Sequence, residues 1–373
     1  MSGKDKKYYS GKNIRAKGAR YNIIYGERSN GKTFDVLLEA YKDFLNSGEV
    51  NQLALIRRFD EDFVGAKSAK SSYDSLICDG NGVNQISKLS GGVYTGVTYY
   101  AGQYILTMTD ESTGRQVKTD KVIAYGFSLT SAEHYKSGSS PHIKTILFDE
   151  FMTRKYYLTD EFIQFQNLLS TIIRDRDDVI IYMCGNTVNQ YCPYFKEMGL
   201  YRVKDMKKGD IDVYTYGDSG LIVAVEYSDS PSKNKPSDVY FAFNNPRLNM
   251  IKTGAWEIDV YPHCPYKYAP KDVLFMFFIA FDGELMQCEI IHVRGSTFLF
   301  VHMKTTTLKD VDHDLIYTTE HDARMNYRRN IMKPVTNLER KICDLFKREK
   351  VFYQDNETGE LMRNYLNWCR RGA

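Results

Sequence analysis

Residues 26–33 read Gly-Glu-Arg-Ser-Asn-Gly-Lys-Thr, which meets the Gly-x-x-x-x-Gly-Lys-Thr spacing of a phosphate-binding loop at every fixed position. In such a loop the backbone amides and the amino end of the following helix face an anion. The lysine reaches the outer two phosphates and the hydroxyl holds a metal. The spacing therefore predicts a nucleoside triphosphate with Mg2+. Gly26, Arg28, Ser29, Asn30, Gly31, Lys32, Thr33 and Phe34 would surround the phosphates, with Thr33 on the metal. A second group follows the apolar run Lys144–Phe148 (KTILF), which ends in Asp149 and Glu150. Two carboxylates at the tip of a buried strand divide the work of hydrolysis. Asp149 would orient the metal's water shell, and Glu150 would act as base on the attacking water. Each feature has an ordinary reading, a chance loop match and a solvated strand end. Their combination favours the chemistry.

The elements that must hold these residues are visible as hydrophobic patterns. Tyr21–Tyr25 read as a buried strand entering the loop, and Phe34–Phe44 show helical apolar spacing after it. Gln52–Arg58 (QLALIRR) read as a second core strand. An extra strand between the phosphate loop and the Asp-Glu strand marks the additional-strand class of P-loop ATPases. Val93–Tyr100, Gln103–Thr109 and Lys121–Phe127 alternate apolar and polar residues, which predicts a hairpin or small meander inserted before the Asp-Glu strand. A helix over Glu161–Ile173, a core strand over Val179–Cys184 and another over Leu221–Tyr227 follow.

Ser228–Pro236 (SDSPSKNKP) carries the Pro and Ser punctuation of a linker, and Asp238 to about Pro270 has no assignable pattern. Beyond it, Val273–Phe281, Leu285–His292 and Thr297–Met303 read as consecutive antiparallel strands. Pro334 opens an amphipathic helix with Val335, Leu338, Ile342, Leu345 and Phe346 on one face, and a shorter helix covers Glu360–Cys369. The expected organisation is an α/β motor domain over 1–228, a linker region over 229–270 and a smaller α+β domain over 271–373.

Three further groups have two readings each. Asn186, after the strand expected beside the Asp-Glu strand, either senses the terminal phosphate or holds the attacking water, or it is a turn residue after Gly185. Arg174 and Arg176 in IRDRDD either supply an arginine finger to a neighbouring subunit or form a solvated Arg-Asp cluster. Lys67 and Lys70 in GAKSAKSS, and Lys136 in HYKSGSS, lie in small-residue loops that can approach a phosphate backbone, although most such lysines only confer solubility.

At 373 residues the chain is long enough for two domains. Its 50 Lys and Arg against 47 Asp and Glu exclude a uniformly basic coat, so a polyanion must meet a local patch. Seven cysteines without a Cys-x-x-Cys pair predict reduced thiols and no zinc site. The start of the chain has no apolar stretch after its lysines, and the longest apolar run, Val273–Phe281, is too short to span a bilayer. The expectation is a protein with no membrane partner.

Taken together, these segments resemble the DNA packaging ATPases of φ29-type phages, which are themselves similar to terminase large subunits. The resemblance rests on the phosphate loop with Arg28 at its third position, the strand bearing Arg57 and Arg58, and Thr145–Phe151 (TILFDEF). It continues through Ile173–Val179 (IRDRDDV), Gly185 with Asn186, and Asn189–Phe195 (NQYCPYF). These pieces occur in family order over most of the first 228 residues.

The resemblance implies an additional-strand (ASCE, RecA-like) P-loop domain and a vestigial RNase H-like nuclease domain. It implies a homo-oligomeric ring, a pentamer in this family, that hydrolyses ATP to drive double-stranded DNA through a portal into a procapsid. Arg174 falls on the family's trans-acting arginine finger, and Lys136 on a DNA-touching pore loop. Lys67 and Lys70 align more loosely. The implied location is the host cytoplasm, with transient attachment to the procapsid. The implied docking partners are the portal and, in some members, a structural packaging RNA.

Two rivals differ in class: a helicase or helicase loader acting on single strands, and a nuclease-competent terminase subunit. For the latter, Asp282, Asp310, Asp312, Asp314 and Asp322 supply carboxylates, although Asp282-Gly283 reads as a hairpin turn and Asp310–Asp314 as a loop.

Overall fold

The computed structural model describes residues 8–63, 71–135, 140–153, 157–158, 160–187, 192–217, 219–229 and 261–370. Lys67, Lys70, Lys136, Asn189–Tyr191 and most of the 229–270 span lie outside the described residues. The chain divides into two compact units, Met1–Trp256 and Glu257–Ala373.

The first unit is built on a nine-stranded sheet with the order β3-β4-β5-β2-β6-β7-β1-β9-β8. The strands are β1 Tyr21–Gly26, β2 Gln52–Arg57, β3 Gly96–Tyr100, β4 Gln103–Thr109, β5 Gln116–Ser128, β6 Ile143–Asp149, β7 Ile180–Asn186, β8 Ile211–Tyr216 and β9 Leu221–Ser228. From β5 through β2, β6, β7 and β1 to β9, every neighbouring pair is parallel. All these strands therefore end on one edge, where open α/β sheets place their ligands.

Near-continuous apolar sequence along these strands reflects burial on both faces. On one face Ile23, Ile56, Phe148 and Met183 pack with Phe165, Leu168 and Ile172 of the helix Glu161–Ile173. On the other, Ile24, Leu55, Leu147 and Tyr182 pack with Val36, Leu37, Tyr41 and Phe44 of the helix Lys32–Asn46.

Two features differ from the sequence expectation. The strand lying between the loop strand β1 and the Asp-Glu strand β6 is β7. The strand β2, which intervenes in the chain, sits on the far side of β6. The alternating segments β3, β4 and β5 continue the main sheet: β3-β4 and β4-β5 are antiparallel, while the end of β5 lies parallel to β2.

The second unit holds a six-stranded sheet, β14-β13-β10-β11-β12-β15. Its strands are β10 Val273–Phe281, β11 Glu284–Val293, β12 Ser296–Met303, β13 Ile316–Thr318, β14 Tyr327–Arg328 and β15 Val351–Tyr353. The first three form an antiparallel meander, and β13 adds parallel to β10.

Both of its expected helices have different bounds. The first spans Asn337–Lys347 and is opened by Thr336, whose hydroxyl accepts from the Glu339 amide at 3.2 Å. Val335 therefore precedes the helix and is 69% exposed. The second spans Asn356–Arg370 and is the longer. Its opening turn is masked in sequence by Gly359, which is required there because a Cβ would meet the Tyr261 ring at 2.2 Å.

Candidate active site

The phosphate loop leaves β1 at Gly26, whose φ of 152° belongs to glycine. A Cβ there would stand 2.4 Å from the Ser228 hydroxyl at the end of β9. The loop ends at Gly31 (φ 98°), the residue before the helix Lys32–Asn46. Asn30 fixes the turn from inside. Its Oδ1 accepts from the Lys32 amide at 3.3 Å and from Lys32 Nζ at 3.1 Å, and its Nδ2 donates to Ser228 Oγ at 3.0 Å. Ser228 in turn donates to the Tyr25 carbonyl.

An amino-terminal strap holds the outer side of the loop. The Tyr9 amide donates to the Asn30 carbonyl at 2.9 Å, the Tyr8 ring lies 4.9 Å from Phe34, and Arg15 pairs with Asp35 at 2.5 Å.

Lys32 Nζ donates to the Glu27 carbonyl at 2.5 Å and reaches Asn186 Oδ1 at 3.4 Å. Burial withholds water from its ammonium and lowers its pKa from 10.5 to about 8. Thr33 Oγ1 donates to Asp149 Oδ1 at 2.8 Å. The strands that end in Gly26, Asn186 and Asp149 are neighbours in the order β1, β7, β6. Residues separated by more than a hundred positions in the chain thus meet at one sheet edge. Arg28 and Ser29 are exposed on the outer turn, and Phe34 is half-buried.

Arg57 is the residue that sequence reasoning left without a role. At the end of β2, beside β6, its guanidinium contacts Asp149 Oδ2 at 2.7 Å and Glu150 Oε2 at 3.1 Å. Glu150 itself has a left-handed backbone (φ 58°) and an exposed side chain. Such strain in a non-glycine residue concentrates at functional positions.

Its neighbour Arg58 points to the opposite face. There it is buried against Glu161 through Nε at 2.8 Å and Nη2 at 2.9 Å, and it donates to the carbonyls of Phe151 at 2.7 Å and Glu150 at 3.2 Å. Tyr194 completes the cluster with a 2.9 Å bond to Glu161. Arg58 thus holds the backbone that carries the Glu150 carboxylate. The available signal was two arginines closing a buried strand, whose period of two sends them to opposite faces.

The remaining candidates are not gathered at this edge. Arg174 is exposed just past the helix Glu161–Ile173, with φ 52°. Arg176 is a structural clasp, donating to the carbonyls of Ile143 at 2.6 Å and Pro141 at 2.9 Å. In the second unit Asp282 and Gly283 form the β10–β11 turn (φ 55° and 79°). Asp310 accepts from His313, and Asp322 pairs with Arg324. Among the described residues, no group of three or more His, Cys, Asp or Glu side chains could hold a metal ion, and no helix is long and apolar enough to cross a membrane.

Residues 110–234 match the family model described as Podovirus DNA encapsidation protein (Gp16). That span includes Asp149, Glu150, Arg174 and Asn186. The chain is 23% identical over 269 residues to a DNA packaging protein of Bacillus phage B103, covering 71% of this chain and 72% of the relative. It is 31% identical over 230 residues to the DNA packaging protein of Bacillus phage phi29, covering 58% and 66% respectively.

Among solved structures, it is similar to the bacteriophage Phi-29 viral genome packaging motor assembly, with a TM-score of 0.56, 18% identity and 98% of both chains covered. It is also similar to the Phi-28 gp11 DNA packaging motor, with a TM-score of 0.53, 19% identity and 98% and 99% covered.

Proposed function

We infer that this chain, which belongs to the φ29-type phage DNA encapsidation proteins, is the ATPase of a genome packaging motor and works through the site at the edge of β1, β7 and β6. The observation that carries the reading is the convergence of Lys32, Thr33, Asp149 and Glu150 there. An interposed strand between the phosphate-loop strand and the Asp-Glu strand supports the additional-strand class of P-loop ATPase.

Lys32 binds the outer phosphates of ATP once its ammonium leaves the Glu27 carbonyl. The Thr33 hydroxyl and Asp149, already 2.8 Å apart, are hard oxygen donors suited to Mg2+, which would neutralise phosphate charge when bound. Glu150 takes the proton of the attacking water. Its carboxylate is turned onto Arg57 at 3.1 Å, so Glu150 reaches the water when that contact is released. Asn186, at the end of β7, is placed to orient the terminal phosphate or the water.

Arg174 is the finger of a neighbouring protomer in a ring, a pentamer as in the family. Its position supports this role. Arg176, two residues on, is bonded to Ile143 at the start of β6, while Asp149 ends the same strand, roughly 20 Å away at the usual rise per residue. Arg174 is thus remote from its own protomer's phosphates.

Lys136, with Lys67 and Lys70, grips the backbone of double-stranded DNA without regard to base sequence. The second unit is an RNase H-like fold retained for docking on the portal or on a packaging RNA. Its antiparallel meander with a parallel strand on the opening member supports that fold, and the turn and ion-pair positions of Asp282, Asp310 and Asp322 support docking over cutting. The protein works in the host cytoplasm while attached to the procapsid.

A mixing experiment tests the shared site. Glu150→Gln and Arg174→Ala proteins, each inactive alone, should regain ATPase activity when combined, because mixed rings contain interfaces with both native residues. Strictly additive loss in the mixture would remove Arg174 from the site.

A further inference from the structure

The second residue of the phosphate loop is a glutamate, which is electrostatically wrong for a loop that must receive a triphosphate. The Glu27 carbonyl lies 2.5 Å from the Lys32 ammonium, the group that reaches the outer phosphates. The backbone at Glu27 therefore borders the place a terminal phosphate would take. The carboxylate of Glu27 is paired with the ammonium of Lys208.

Lys208 is not a wandering surface lysine. It belongs to the tight turn Lys207–Asp210, in which the Lys207 amide donates to Asp210 Oδ2 at 2.7 Å and the Asp210 amide donates to the Lys207 carbonyl at 3.0 Å. The turn is tied to the end of β9 by Gly209 N to Tyr227 O at 2.7 Å and by Tyr227 N to Asp210 O at 3.1 Å. Tyr227 is the register partner of Tyr25, the residue before Gly26, and their rings stack at 4.8 Å. The backbone thus delivers Lys208 to the phosphate loop from outside the motif.

We propose that Lys208 is a second lysine of the nucleotide site, a positioning residue that neutralises Glu27 and so lets the loop accept a terminal phosphate. It acts on discrimination between nucleoside triphosphate and diphosphate, since the added charge of the triphosphate lies on the side where Glu27 stands. The inference rests on the nucleotide reading of the loop given above.

The test uses the full-length protein and fluorescent ATP and ADP analogues in a binding titration. Lys208→Met should weaken the triphosphate about tenfold, the scale of one partly screened charge contact, and the diphosphate much less. Adding Glu27→Gln to Lys208→Met should restore triphosphate affinity, because the charge that needed neutralising is gone. A purely structural lysine would give equal losses for both nucleotides and no rescue, and either result overturns the proposal. Lys32→Ala is the separate control. If it binds triphosphate like the parent, the nucleotide reading itself fails; if it loses binding while Lys208→Met does not, only the role of Lys208 falls.

Discussion

Lys32 is a buried cation waiting for an anion. Its pKa of about 8 arises first from burial, with the charges of Asp149 and Glu27 acting in the opposite direction. A bound triphosphate favours the ammonium and raises that value, so binding must take up a proton where the free lysine is partly neutral. The sign follows: affinity holds below about pH 8 and falls as pH rises through it. Calorimetric titrations in two buffers of different ionisation enthalpy should show proton uptake growing from pH 7.5 to pH 8.5; uptake independent of pH would contradict the assignment. Arg57 gives the carboxylates the complementary treatment. It pairs with Asp149 and Glu150 together, which keeps two adjacent negative charges compatible before any nucleotide is present.

At the scale of elements, the site depends on strands ending together and on what clamps their ends. Arg58 joins β2 to the helix Glu161–Ile173 through Glu161, with side-chain exposures of only 6% and 1%. Removing one partner strands a buried charge. Glu161→Ala should therefore cost about 3–5 kcal/mol of stability and loosen the backbone after Asp149. Denaturant unfolding measures the cost, and the doubly apolar Arg58→Met, Glu161→Leu variant should recover part of it. A Glu161→Ala protein as stable as the parent would show that the cluster is solvated. The phosphate loop is clamped differently, by the approach of β9: only glycine at 26 leaves room for Ser228.

For the whole molecule, the near balance of 50 basic and 47 acidic residues means that the proposed grip on duplex DNA has to rest on a few lysines rather than on a basic coat. Lys136→Ala should weaken duplex binding alike for unrelated sequences and reduce the slope of log affinity against log salt by about 1. An unchanged slope would remove Lys136 from the interface. Duplex should stimulate ATP hydrolysis more than single strands of equal length, since a phosphate grip has no use for base stacking.

Local patterns were enough to propose the ligand chemistry and to place much of the framework. The loop at 26–33 and the Asp149-Glu150 pair are short-range motifs, and the helix Glu161–Ile173 has the bounds its apolar spacing predicts. The strands β13, β14 and β15 were missed because they carry too few residues for a period to register, and β8 because it is an edge strand with a single buried side chain and no apolar run. The order of the sheet was equally hidden, since which strand separates β1 from β6 depends on long-range pairing that no local period encodes.

The same holds for Arg57, Ser228 and Lys208. Each is an ordinary residue in its own segment, and each acquires a role only because a parallel sheet brings the ends of β1, β2, β6, β7 and β9 to one edge. Residue spacing along the chain thus carried the reading of a triphosphate ligand, because that motif needs only contiguous residues. Folding in three dimensions decided which charges surround it, because Coulomb interactions follow distance through space.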